Sequence, residues 1–150
     1  RIGGATARDV LRIPTRAGEA LYYELVWTES YGDDRRTEAC AILRYPLPGP
    51  LPLMRIKPEG VFGLANNDLT TEWQEFNREF DVKTDDERVG QAVLTKPVQE
   101  FLMDRLRGER LAFDGDGVFL WIDRYDVEDV DRCVKLMEEL TALIPAAAYE

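Results

Sequence analysis

Asp114-Gly115-Asp116-Gly117 places two acidic residues two positions apart, as the opening of a calcium loop does. An EF-hand loop also needs an oxygen ligand at position five, glycine at six and glutamate at twelve. Those positions hold Val118, Phe119 and Tyr125. The tetrapeptide therefore reads as a turn. An Asp-Gly pair between the apolar runs Leu111–Phe113 and Val118–Ile122 predicts a β-hairpin, because a tight primed turn needs positive φ.

The other chemistry-bearing types are sparse. The chain has no histidine. That removes Ser-His and Cys-His nucleophile pairs, an imidazole acid or base, and His-ligated zinc. Cys40 and Cys133 read as small buried hydrophobes, without a local basic partner to activate Cys40. Asp85, Asp86 and Glu87 suit the positive end of a helix dipole. No phosphate-cradling glycine loop and no GxSxG elbow occurs. No catalytic, cofactor or metal residue is assigned, and no cofactor is expected. Asp33-Asp34-Arg35-Arg36 is a charged cluster at a predicted hairpin tip. It reads as solvated, mutually paired charge or as a docking loop. Asp33, Asp34, Arg35 and Arg36 are thus the candidate contacts for a protein partner.

The 150 residues carry a net charge of −10, with hydrophobic residues at 45% and charged residues at 32%. This is an ordinary globular composition, and the length predicts one α+β domain over residues 1–150. An acidic surface repels phosphate backbones, so nucleic acid is not an expected partner. The charge is uneven: residues 1–75 hold 9 basic and 11 acidic side chains, residues 76–150 hold 10 and 18. No uncharged stretch is long enough to span a bilayer, which takes ~20 apolar residues.

The elements that must position these residues follow from periodicity. Ala20–Thr28 alternates, with Leu21, Tyr23, Leu25 and Trp27 on one face. A polar turn over Ser30–Asp34 leads to a return strand over Thr37–Tyr45. Val10–Ile13 predicts a shorter strand before them, stopped by Pro14. Pro46, Pro48, Pro50 and Pro52 argue against a central strand, since each lacks a ladder donor. That segment is read as a stiff connector, or alternatively as a polyproline ligand, and Leu53–Lys57 as a new strand. Gly60–Asn67 reads as a loop or short helical turn. Phe76–Thr84 alternates as a strand. Thr84 and Glu87 suggest a capping box opening a helix with Val89, Ala92 and Val93. Thr95 is a fresh N-cap before Pro97, and Val98, Phe101, Leu102 and Leu106 face the core before Gly108. Asp126 is expected to cap a last helix carrying Val127, Val130, Val134, Met137, Leu140 and Ile144, ended by Pro145. Its polar side, with Glu128, Asp129, Asp131, Glu138 and Glu139, reads as a solvated face or an acidic docking face. The sum is an antiparallel β-sheet of about six to seven strands with two main helices packed against it.

Glu75-Phe76-Asn77-Arg78-Glu79-Phe80-Asp81-Val82 followed by Ala92-Val93-Leu94-Thr95-Lys96-Pro97 resembles the soluble domain of an uncharacterised bacterial, largely actinobacterial, family. Members often carry membrane-spanning segments before that domain. The resemblance covers residues 75–145 well and the front half loosely. It implies the soluble domain of a membrane-associated protein, with any anchor outside this chain, while the cysteine usage leans to a reducing, cytoplasmic compartment. The resulting expectation is a non-enzymatic interaction or sensing domain. A small-molecule or peptide-binding module and a carboxylate-dependent hydrolase stand as alternatives. Oligomeric state is not legible in the sequence.

Overall fold

The computed structural model describes residues 4–60, 69–122 and 127–150, and only the backbone of residues 127 and 128. The loop expected over Gly60–Asn67, Gly60 apart, and the Asp126 cap lie outside the described residues.

The order is β1 (Thr6–Thr15), β2 (Gly18–Tyr31), β3 (Asp34–Pro58), α1 (Gln74–Glu79), β4 (Phe80–Thr84), α2 (Glu87–Val93), α3 (Lys96–Arg105), β5 (Arg110–Ile122), α4 (Val127–Leu143) and a 3-10 turn, Ala146–Tyr149. The fold is α+β with an antiparallel sheet. Among the described residues that sheet has five strands rather than six to seven. Three longer helices accompany it rather than two, with α1 a single short turn.

The lower strand count has one cause: two pairs of expected strands are each one strand. β3 runs 25 residues straight through the proline segment. It pairs with β2 as far as Arg44 and with β4 from Met54 onward, and β5 lies along its other edge. The ladder to β5 shifts register between Pro46 and Leu51 and again between Leu51 and Met54. Pro48, Pro50 and Pro52 fall inside these two shifts. Proline is tolerated at bulges because no ladder donor is missed there. The expected connector is therefore the bent middle of a strand.

The expected 111–122 hairpin is corrected in the same way. β5 runs unbroken from Arg110 to Ile122, and Gly115, opposite Leu51, has φ +61°. The positive φ serves a bulge opposite the proline segment instead of a chain reversal.

Two local readings also shift. Phe76 and Phe80 suit a strand, but four-residue spacing equally suits a helix turn. Residues 74–79 are helical, and the two buried rings stack at 5.1 Å between centroids. At α2 the cap is Asp86, whose carboxylate accepts the Val89 N–H at 3.1 Å. Thr84 instead accepts the Asp86 N–H, a local turn of the kind short hydroxyl side chains favour. Thr95 is the N-cap residue of α3, yet its hydroxyl makes no capping bond.

One contiguous core lies between the sheet and the helices. Ala41, Leu43, Tyr45, Met54 and Ile56 of β3 and Leu111, Phe113, Val118 and Leu120 of β5 meet Val98, Leu102, Val130, Met137 and Leu140. Cys133 is buried in this core and free, and burial pushes its thiol pKa up, which keeps it unreactive. Cys40 is half-buried and forms no disulfide.

Candidate functional site

Strand alternation gives the sheet a second face. Among the described residues no helix packs on it. Tyr23, Ile42 and Trp121 stand in one row across β2, β3 and β5, and Leu21, Arg44 and Phe119 in the next. Ile42 and Ala112 are buried, at 4% and 5% exposure, yet neither belongs to the core. The half-buried Tyr23, Phe119 and Trp121 flank a trough of about 490 Å³, joined by Leu53 and Asp114.

Cations rim this trough. Arg55, Lys57 and Arg110 line it and are all exposed. Lys83 of β4 stands directly opposite Arg55. Lys57 lies 3.8 Å from the buried Asp81 carboxylate. Arg55, Lys83 and Arg110 make no ion pair among the described residues. In a chain of net charge −10, this is a local inversion of sign.

Arg44 is pinned in place. Its guanidinium lies against Gly117, so close that a Cβ there would come within 2.8 Å of Nε. It donates to Asp116 Oδ1 at 2.7 Å. The Asp-Gly-Asp-Gly segment thus works as a seat for Arg44. Burial pushes the Tyr23 phenol up, and the Arg44 charge partly offsets this, so Tyr23 is neutral at ordinary pH.

The β2–β3 ribbon carries the open face outward. β1 pairs β2 only as far as Val26, opposite Thr6. Beyond it, Trp27, Glu29 and Tyr31 alternate on the open face. The Trp27 indole N–H donates to Glu29 Oε1 at 3.1 Å, and the Tyr31 hydroxyl donates to Glu29 Oε2 at 2.8 Å. These two bonds hold the Glu29 carboxyl below its usual pKa, and the bond to Glu29 together with its charge raises that of Tyr31.

Asp33, Asp34, Arg35 and Arg36 sit at the tip of this ribbon, all exposed. The structure does not bring the four together. Asp33 is in the turn with Gly32, whose φ is +62°. Asp34 and Arg36 pair with Tyr31 and Glu29 and share the open face, while Arg35 pairs with Ser30 and shares the opposite one. The trough residues, drawn from three strands, were not singled out from the sequence. Their signal was the apolar alternation of β2 and β5, which does not reveal which face the helices take.

The acidic residues of α4 are partly neutralised. Arg105 reaches Glu139 at 3.1 Å and Arg132 reaches Asp129 at 3.3 Å. Among the described residues no three Asp, Glu or Cys side chains converge as a metal-holding group. Nor is any helix among them long and apolar enough to cross a membrane. The chain matches no protein-family model, no curated protein and no solved structure.

Proposed function

We propose that this chain is a non-enzymatic interaction domain whose open sheet face docks an acidic protein segment bearing apolar side chains. The observation that supports this is the aromatic trough rimmed by cations, of which Arg55 and Arg110 make no ion pair among the described residues, on an otherwise acidic molecule. Tyr23, Phe119 and Trp121 offer large rigid surfaces at low entropic cost, the composition that dominates binding hot spots. Arg55 and Arg110 supply charge-assisted hydrogen bonds to carboxylates. A partner carrying both features matches the trough in shape and sign. The resemblance of residues 75–97 adds the proposal that the domain belongs to a membrane-associated protein, which fractionation of the native gene product tests.

Fluorescence anisotropy tests the docking reading. The probe is a labelled peptide alternating glutamate with leucine and phenylalanine. Controls are the same peptide with lysine for glutamate, and a single-stranded RNA. The acidic peptide binds and the basic one does not. Arg55→Glu with Arg110→Glu weakens binding at least about tenfold, since each charge-assisted bond contributes ~1.5–3 kcal/mol. Thermal unfolding stays unchanged, because both side chains are exposed. Preference for the RNA, or indifference to the double charge reversal, would refute the reading.

A further inference from the structure

A second depression lies away from the sheet face, where the chain leading into α1 meets α2 and α3. It encloses about 660 Å³, within the range of small-ligand sites, and Glu72, Trp73, Leu94, Lys96 and Gln99 line it. We propose that it binds a free amino acid, or a closely similar zwitterion.

The argument begins with Gln99. This residue is 6% exposed. Its amide donates through Nε2 to the Leu94 carbonyl at 2.8 Å. That bond fixes the orientation of the group and leaves Oε1 buried with no hydrogen-bond partner. Native proteins rarely leave such atoms unanswered, because each costs the desolvation of a polar group. An acceptor without a donor on the lining of the depression calls for a ligand that brings an N–H or O–H group.

The charges around them specify that ligand further. Lys96 is the first residue of α3, a ten-residue helix whose N-terminus no side chain caps. Pro97 has no N–H, but the backbone N–H groups of Lys96 and Val98 remain at the positive end of the dipole. A carboxylate suits this end and the Lys96 ammonium together. Glu72, exposed on the same lining and without an ion pair among the described residues, answers an ammonium. A molecule holding carboxylate and ammonium on neighbouring carbons satisfies Lys96, Glu72 and Gln99 at once. Trp73 and Leu94 offer apolar surface for its side chain.

The site is also held in shape beforehand. The Asn77 side chain clamps Thr71: Oδ1 accepts the Thr71 N–H at 2.9 Å and Nδ2 donates to the Thr71 carbonyl at 2.8 Å. Thr71 Oγ1 in turn accepts the Trp73 N–H at 3.3 Å. The Lys96 ammonium sits 3.4 Å from the centre of the Trp73 ring, an attraction that restrains both side chains.

Thermal-shift and calorimetric titration of the full 150-residue chain with single L-amino acids at up to about 10 mM test this. At least one amino acid with an apolar side chain raises the melting temperature. Its N-acetyl derivative, which lacks the ammonium, and its amide, which lacks the carboxylate, each bind at least about tenfold more weakly. Glu72→Gln and Lys96→Met, at exposed positions, weaken binding about tenfold or more and leave the fold intact. Gln99→Met abolishes it. If no amino acid shifts the melting temperature, the proposal fails. It also fails if either derivative binds as well as the parent, or if Glu72→Gln and Lys96→Met bind as wild type.

Discussion

Glu29 shows how single side chains organise the exposed end of this protein. A lone glutamate at a ribbon tip would be mobile, and so would Trp27 and Tyr31 beside it. One carboxylate accepting two hydrogen bonds fixes both rings. Both bonds favour the ionised carboxylate, which is why its pKa falls below the ordinary 4.5. For a carboxylate with a depressed folded pKa, the contribution to stability is present above the unfolded value. It is lost as pH falls through the folded value. Tyr31 works in the opposite sense, since a raised folded pKa keeps its contribution below the unfolded 10.0 and loses it above the folded value. The cluster is therefore intact across the whole range between. Carboxyl NMR is expected to place the Glu29 midpoint below 4.5, and Trp27→Phe, which removes the indole donor, to raise it. A wild-type midpoint at or above 4.5 would show that the two rings are not tied.

At the scale of elements, short side-chain bonds decide where chain segments lie. Asn77 is half-buried in α1, and its amide reproduces for Thr71 the pair of bonds that a neighbouring strand would make. Asn77→Ala leaves the Thr71 N–H and carbonyl without these partners. A destabilisation of about 1–3 kcal/mol follows in denaturant unfolding. The Trp73 emission is expected to shift towards that of a more hydrated indole, since its backbone is tied through Thr71. Asn77→Asp keeps one acceptor but loses the donor to the Thr71 carbonyl, and falls between the two. Equal stability of Asn77→Ala and wild type would mean the clamp carries no load.

Much of this architecture was legible because alternation and helical spacing are local. The β2–β3 hairpin follows from strict alternation around a turn, and α4 from its apolar stripe. The proline segment misled for a different reason. The rule against proline in central strands holds, but three prolines inside consecutive register shifts satisfy it without breaking the strand. Gly115 misled because positive φ serves a bulge as well as a turn. The trough was out of reach. Tyr23, Ile42 and Trp121 become neighbours only once β5 pairs with β3, and alternation identifies two faces without saying which stays open. The orphaned Gln99 amide is likewise invisible until the Leu94 carbonyl is seen to take its donor.

Charge acts on the molecule as a whole, and at different distances its parts oppose each other. The chain carries −10 overall, so an acidic partner is repelled from afar. The trough cations attract it at contact. Ionic strength decides which distance counts. At ~0.01 M the screening length is ~30 Å, at ~0.1 M ~10 Å and at ~1 M ~3 Å. A globular chain of this size has a radius of gyration of about 15 Å. At the lowest salt the whole molecule is felt and repulsion dominates. Near ~0.1 M only charges around the contact remain, and Arg55, Lys57, Lys83 and Arg110 prevail. At the highest salt these are screened too, leaving the apolar contact with Tyr23, Phe119 and Trp121. Affinity for the acidic peptide is therefore expected to pass through a maximum at intermediate salt. The Arg55→Glu, Arg110→Glu variant has lost the short-range attraction, so its weak binding rises steadily with salt. A wild-type affinity that falls monotonically from the lowest salt would show that the local patch outweighs the net charge at every range. One that only rises would show that the trough cations contribute nothing to docking.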